Sequence, residues 1–338
     1  VNPALGDCGG EATVDRLREA WRRAVTAELC WTNPDGTPAA IAVTPVVRGA
    51  GSATPTLCAA LPYARADEVA GLREADAAVF AVTDSRSLPA DAGAPGAGAA
   101  GSGGAGSGGA GSGGAGAAAE APVRTGVAAS GTVRIVDDLK GELFTDELLD
   151  QELVKYPPSR TLADSVLLRR ENWWWLPRIV VELTGPAAGP GSPEEAHPPE
   201  RTNPARHGLL VTATADAPGS LRAPELRSVD VDVDATPHAA APTGVTGLRD
   251  LTGEPPPPAP SALVFGYDYT MPDLERWETW SLAGRVSGGR LSVDARSGTP
   301  GDDLRTLGLL ARTRRHRALA KACRAGVRAA ERHLHPAP

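Results

Sequence analysis

Lysine is almost absent from this chain: Lys140, Lys155 and Lys321 are the only three among 338 residues, so nearly all of the 34 basic residues are Arg. Set against 41 acidic residues they leave a formal charge of −7. Binding to a phosphate backbone needs clustered positive surface, so this balance argues against nucleic acid as a main partner. The chain is also rich in Ala, Gly and Pro, which indicates a GC-rich coding bias, so abundant Arg does not by itself mark an anion site. The four cysteines (Cys8, Cys30, Cys58, Cys323) form no C-x-x-C pair. That leaves no readable zinc or dithiol motif, and they read as reduced, buried thiols. None of His197, His207, His238, His316, His333 or His335 stands at a metal spacing or in a Ser/His/Asp set. No apolar run approaches the roughly 20 residues that span a bilayer, so no membrane helix is expected. The opening residues VNPALGDCGG lack a basic start and an apolar core, so the expectation is no secretion signal and a cytoplasmic location.

Three low-complexity stretches organise what remains. Residues 90–122, with their GSGGAGSGGAG repeats, cannot bury apolar surface and read as a flexible insertion. Residues 186–206 are Pro-rich and read as a linker. GEPPPPAP, from Gly253, should be stiff and extended. A first unit over 11–185 and a second over 207–338 follow from these breaks.

Within the first unit, EATVDRLREAWRRAVTAE sets Val14, Leu17, Trp21 and Val25 on one helical face. ELCW, the turn NPDG and TPAAIAVTPVV read as a hairpin. PTLCAAL is a third strand, ADEVAGLREA a short helix and AAVFAVTD a strand. Beyond the insertion, GVAASGTVRIVDD is one long strand or a strand pair. ELFTDELLDQELVKY is a helix ended by Pro157 and Pro158, and WWWLPRIVVEL is a β-branched strand. Antiparallel strands with helices at the crossovers predict a mainly β fold with helices (α+β), a small antiparallel barrel. The insertion falls between two strands of that barrel, which closure entropy tolerates because it grows only logarithmically with loop length.

The segments ELCWTNPDGTPAAIAVTPVV and PTLCAALPYARADEVAGLREADAAVFAVTDSR, with the later SGTVRIVDD, resemble the pyridoxamine 5'-phosphate oxidase-like superfamily of FMN-binding split barrels, over about residues 11–185. The resemblance implies a flavoprotein oxidoreductase that binds FMN, or a deazaflavin, and acts on a small molecule. It also implies a paired barrel, either a homodimer or an intramolecular pseudo-dimer, with the cofactor in the groove between the two. Arg65 matches the phosphate-holding Arg of the family, while Ala66, Asp67 and Glu68 stand where a neighbouring Lys is usual. Tyr63, Arg65, Ser85 and Arg86 are the expected phosphate and ribityl residues, joined by Arg160 and Trp174 from the closing segment. The alternative is a barrel that has lost flavin and serves as a non-enzymatic ligand-binding or assembly module. Catalytic side chains are not assigned.

The Trp173-Trp174-Trp175 run is open to two readings: alternate indoles on a strand, one covering a ligand, or packing at the barrel mouth. In YPPSR, two prolines are expected to preorganise a loop that presents Arg160. Over 207–338 the pattern suggests either a diverged second barrel or an unrelated α+β cap. DAPG there stands where NPDG stood, and Tyr269 and Asp273 repeat the spacing of Tyr63 and Asp67. DVDVDA reads as a solvated strand face. The last segment is a basic helix with Leu304, Leu307, Leu310, His316, Leu319 and Cys323 inward, its Arg face neutralised by the acidic remainder.

Overall fold

The computed structural model describes residues 8–334 except 53–54, 76, 89–123, 164–172, 186–196, 214–222, 233–243, 273, 300–303 and 305, with side chains from residue 15 onward. The insertion and the DAPG turn therefore lie outside the described residues, as does Asp273.

Helix α1 (Cys8–Arg23) precedes β1 (Ala27–Thr32), β2 (Pro38–Val43), β3 (Pro45–Arg48), β4 (Thr56–Pro62), β5 (Ala78–Val82) and β6 (Val127–Asp138). Helices α2 (Leu149–Lys155) and α3 (Pro157–Ala163) lead to β7 (Arg178–Thr184). The sheet order is β2-β1-β5-β6-β7-β4-β3, all pairs antiparallel. Only Thr44 separates β2 from β3, so the two sheet edges are halves of one kinked strand and the sheet wraps into a ring. Period-two alternation fills it: Leu29 and Trp31 from β1, Phe80 and Val82 from β5, and Ile179 and Val181 from β7 share one core. Trp21 of α1 plugs this core, stacked on Phe80 at 4.9 Å, and its indole N–H reaches the carbonyls of Val46 and Cys58 at 3.0 Å each. Val25, expected on the same helical face, lies beyond the end of α1.

The second unit is β8 (His207–Thr212), β9 (Glu225–Val231), β10 (Gly244–Asp250), β11 (Ala259–Tyr269), β12 (Trp277–Ser287) and β13 (Arg290–Ser297), followed by α4 (Leu309–Leu334). These strands close a barrel in the order β10-β13-β12-β11-β8-β9, again all antiparallel. Its interior holds Leu210, Val229, Val264, Leu282, Leu291 and Trp280. Gly266 faces inward beneath Trp280, where an added Cβ would sit 2.2 Å from the indole.

With β2 and β3 counted as one strand, the six strands of the first ring run 1-2-3-6-5-4 around the barrel. The second ring runs 1-2-3-6-5-4 as well. The chain is thus a tandem of two rings with the same topology, mainly antiparallel β with a few helices. This replaces the cap alternative, and it also shifts the repeat register. Tyr63 follows the third strand of its ring, whereas Tyr269 ends the fourth strand of the other, so the two tyrosines are not equivalent.

Other expectations change locally. Trp173–Trp175 form a 3-10 turn rather than a strand, since β7 begins only at Arg178. YPPSR is not a loop: Pro157 and Pro158 open α3, where their missing N–H groups cost nothing. Leu310 is 78% exposed, because α4 starts at Leu309 and turns His316, Leu319 and Cys323 inward instead. On α4, Arg312 pairs with Glu275, and His333 lies near enough to Asp137 to help hold that carboxylate down. Asp230, from the acidic strand, is held by Arg206.

Helix α4 crosses both rings. Arg312 reaches Glu275 beside β12, and Gly326 lies against the 3-10 turn Tyr63–Val69, where a Cβ would come within 2.3 Å of the Tyr63 carbonyl oxygen. Gly326→Ala should therefore lift the helix and lower unfolding stability by about 1–3 kcal/mol, as overpacking does. Chemical denaturation checks this, and an unchanged midpoint would show that the helix is not seated there.

Candidate functional site at the seam of the two rings

Each ring turns the outer face of its first and fourth strands toward the other. Cys30 of β1, Val79 and Ala81 of β5, and Ala42 of β2 pack with Leu209 and Val211 of β8 and with Leu263, Phe265, Tyr267 and Tyr269 of β11. Equivalent surfaces meet, as in an isologous dimer, but within one chain. This explains why β5 and β8 read as unbroken apolar runs: both of their faces are covered.

A buried charge sits in this seam. The Glu28 carboxylate accepts from Tyr267 Oη at 2.6 Å, from the Thr83 backbone N–H at 3.2 Å and hydroxyl at 3.0 Å, and from the Arg201 guanidinium. Burial pushes Glu28 above the usual carboxylate range, against the pull of Arg201 and Tyr267.

Two clusters of residues lie along the seam, here termed the first and the second groove, and they differ in content. In the first, Arg65 of the turn after β4 donates to the Ala42 carbonyl oxygen at 3.0 Å. Across from it stands Trp277, the first residue of β12, with ring centroids 6.4 Å from Tyr156, 6.1 Å from Tyr267 and 6.0 Å from Tyr269. The Trp277 indole N–H is shielded from solvent and has no hydrogen-bond partner. Burial raises the Tyr156 hydroxyl, while Arg315 of α4 and Arg65 lie near enough to pull it back. This groove therefore combines π faces, an unpaired N–H and cations.

In the second groove, Gly126 N–H donates to Pro198 O at 2.8 Å, Glu200 N–H to Arg124 O at 2.9 Å, Arg201 N–H to Thr83 O at 2.8 Å and Ser85 N–H to Arg201 O at 3.1 Å. On the far wall Ser228 Oγ donates to Pro199 O at 2.6 Å. The end of the expected linker is thus stitched between the two rings.

The six expected site residues do not converge. Arg65 borders the first groove, with its fork also on Glu68 at 2.6 Å. Arg86 lies on the seam, paired with Asp84 at 2.9 Å and Asp268 at 2.7 Å, and over the Tyr269 ring at 3.9 Å. Ser85 borders the second groove. Tyr63 is buried away from both, donating to Asp137 at 2.9 Å; Arg73 grips the same carboxylate. Burial and the Asp137 bond push the Tyr63 hydroxyl up. Burial alone would raise Asp137, but Arg73 and Tyr63 hold it down. Arg160 donates to the Leu153 carbonyl oxygen of its own helix pair at 2.5 Å. Trp174 fills the core beneath α4, 5.5 Å from the His316 ring, and Trp175 is buried with it, whereas Trp173 is 55% exposed. Trp277, Tyr156 and Arg315 went unread. One signal for the seam was available: Phe265, Tyr267 and Tyr269 stand two apart, on one face of a strand, in a chain whose aromatic content is 4%.

A separate shallow recess of about 440 Å³ is lined by Trp31, Asn33, Asp35, Asp67 and Glu68. Its three carboxylates suit no phosphate. Among the described residues no cluster of His, Cys, Asp and Glu could hold a metal, and no helix is long and apolar enough to cross a membrane. No protein-family model matches this chain, and no curated protein matches it significantly.

Proposed function

We propose that this chain is a fused split-barrel pair that binds FMN, or a deazaflavin, in the first groove and acts as an oxidoreductase on a small molecule. The observation that carries the reading is Trp277, whose unpaired, shielded N–H lies in an aromatic cluster bordered by Arg65 and Arg315. Planar ligands stack on such faces, and a buried donor without a partner is costly until a ligand acceptor meets it. Arg65 and Arg315 would hold the phosphate. The Arg65–Glu68 pair is partly exposed and worth about 0–1 kcal/mol, so a phosphate can displace it. Bound flavin would supply the electron transfer, which accounts for the lack of a catalytic dyad in the sequence. The protein's part is to orient the ring against Trp277 and Tyr156 and to keep water from one face.

A second reading, a non-enzymatic ligand-binding or assembly module without flavin, is favoured by Asp67 and Glu68 standing beside Arg65. A visible spectrum of the purified chain, before and after adding FMN or deazaflavin, separates the two. Retained or recovered yellow chromophore, weakened about tenfold in Arg65→Ala, is the expected result. A colourless chain that takes up neither compound supports the module.

A further inference from the structure

We infer that the outer face of α4 is a docking surface for an acidic α-helix of a partner protein. That role depends neither on the seam nor on the ligand proposed above.

Helix α4 is one continuous run of 26 residues that carries seven Arg and Lys321 against a single acid, Glu331. Ala320, Cys323 and Val327 share the side that is buried against the rings. Six of the cations, Arg314, Arg317, Lys321, Arg324, Arg328 and Arg332, fall in one row on the exposed side. Their steps of three and four residues put a positive charge about every 5 Å along a line of about 27 Å. Among the described residues none of these six is in an ion pair, whereas Arg312, off the row, is paired with Glu275. Like charges at such steps repel and weaken the helix, a cost that an anionic partner removes. Beside the row run Ala318, Ala322, Ala325 and Ala329, all exposed, at steps of four, three and four. That is the seam spacing of a coiled coil, with side chains small enough for close approach and cations placed on its flank.

The charge distribution favours a helix over a larger polyanion. The whole chain stands at −7 while α4 is strongly positive, so the remainder is more negative than the total. A duplex or a lipid surface extends past α4 and would meet that negative body within the screening length of about 8–10 Å. A single helix, about 10–12 Å across, lies on α4 alone. Carboxylates at three- and four-residue steps on it advance by the same ~5 Å, so each meets one cation of the row. Duplex phosphates come about every 3.4 Å of axis on each strand and do not match it.

The test is fluorescence anisotropy of the full chain with a labelled acidic peptide of about 28 residues, four heptads with Glu on the flank and Ala and Leu in the seam. A peptide of the same composition with Glu scattered around the helix is the control. The patterned peptide should bind at least about tenfold tighter than the scattered one, and Arg317→Glu, Lys321→Glu and Arg324→Glu together should weaken it by about tenfold or more. The neutral set Arg317→Gln, Lys321→Gln and Arg324→Gln leaves the buried side of α4 untouched and should weaken binding by about threefold to tenfold. Arg290→Glu, exposed on the second ring, should change nothing. Duplex DNA and phosphatidylserine vesicles are titrated alongside. No binding of the patterned peptide, equal binding of the scattered one, indifference to both triple substitutions, or tighter binding of duplex or vesicles than of peptide would overturn the inference.

Discussion

Replacing Arg201 with Leu is expected to destabilise the folded chain by about 3–5 kcal/mol, the loss seen when one partner of a buried ion pair is removed. The Arg201 side chain is 4% exposed and that of Glu28 not at all. Without the guanidinium, Glu28 keeps only the neutral donors Tyr267 and Thr83, and the burial that already lifts its pKa acts with less opposition. The remaining carboxylate should then take up a proton. Because that raises the folded-state pKa further above the unfolded value, the variant should regain stability as pH falls through the folded pKa. Adding Glu28→Gln should recover a large share of the loss, since the uncompensated charge and not the missing contact dominates. Denaturant unfolding at neutral pH decides: a single-variant loss under about 1 kcal/mol, or no rescue in the double variant, would mean that the pair is not buried in the seam.

The second large effect concerns pH. Lys155 is 9% exposed, and its ammonium nitrogen donates to the carbonyl oxygens of Trp21 at 2.8 Å and Pro45 at 2.7 Å, tying α2 to α1 and β3. Burial pushes its pKa down from 10.5 to about 7. The folded state therefore releases this proton near pH 7, while the unfolded state holds it to about pH 10.5. Between those values the unfolded chain binds more protons, so stability rises with pH by up to about 1.4 kcal/mol per unit. Below about pH 7 both states are protonated and the dependence vanishes. Unfolding from pH 7 to 9 should show a gain of about 2–3 kcal/mol in the natural chain relative to Lys155→Met, which has no titrating group. The same slope in both would place the proton elsewhere.

The sequence carried more of the fold than of the site, for physical reasons. Strand alternation and turn chemistry are local, so the segments around NPDG, PTLCAAL and AAVFAVTD, and the long strand after the insertion, stand where their patterns put them. The fused pair was readable as a possibility from DAPG standing where NPDG stood and from the repeated Tyr and Asp spacing. Its register was not, because matching Tyr63 to Tyr269 compares a third-strand exit with a fourth-strand end, and only strand pairing distinguishes them. Local reasoning failed where a helix position and a strand position share an apolar pattern, as at Trp173–Trp175. It also missed Trp277, Tyr156 and Arg315. These meet only because α4 and the β11–β12 connection fold back over the first ring, more than a hundred residues away from Tyr156 along the chain.

Hydrogen exchange with and without FMN tests the central claim most directly. On this account, added FMN slows exchange around Ala42, at Tyr63–Glu68 and at Tyr269–Trp277, and leaves Thr83–Ser85 and Arg124–Gly126 unchanged. Slowing confined to the Thr83 and Arg124 segments, or no slowing at any of these peptides, would contradict it.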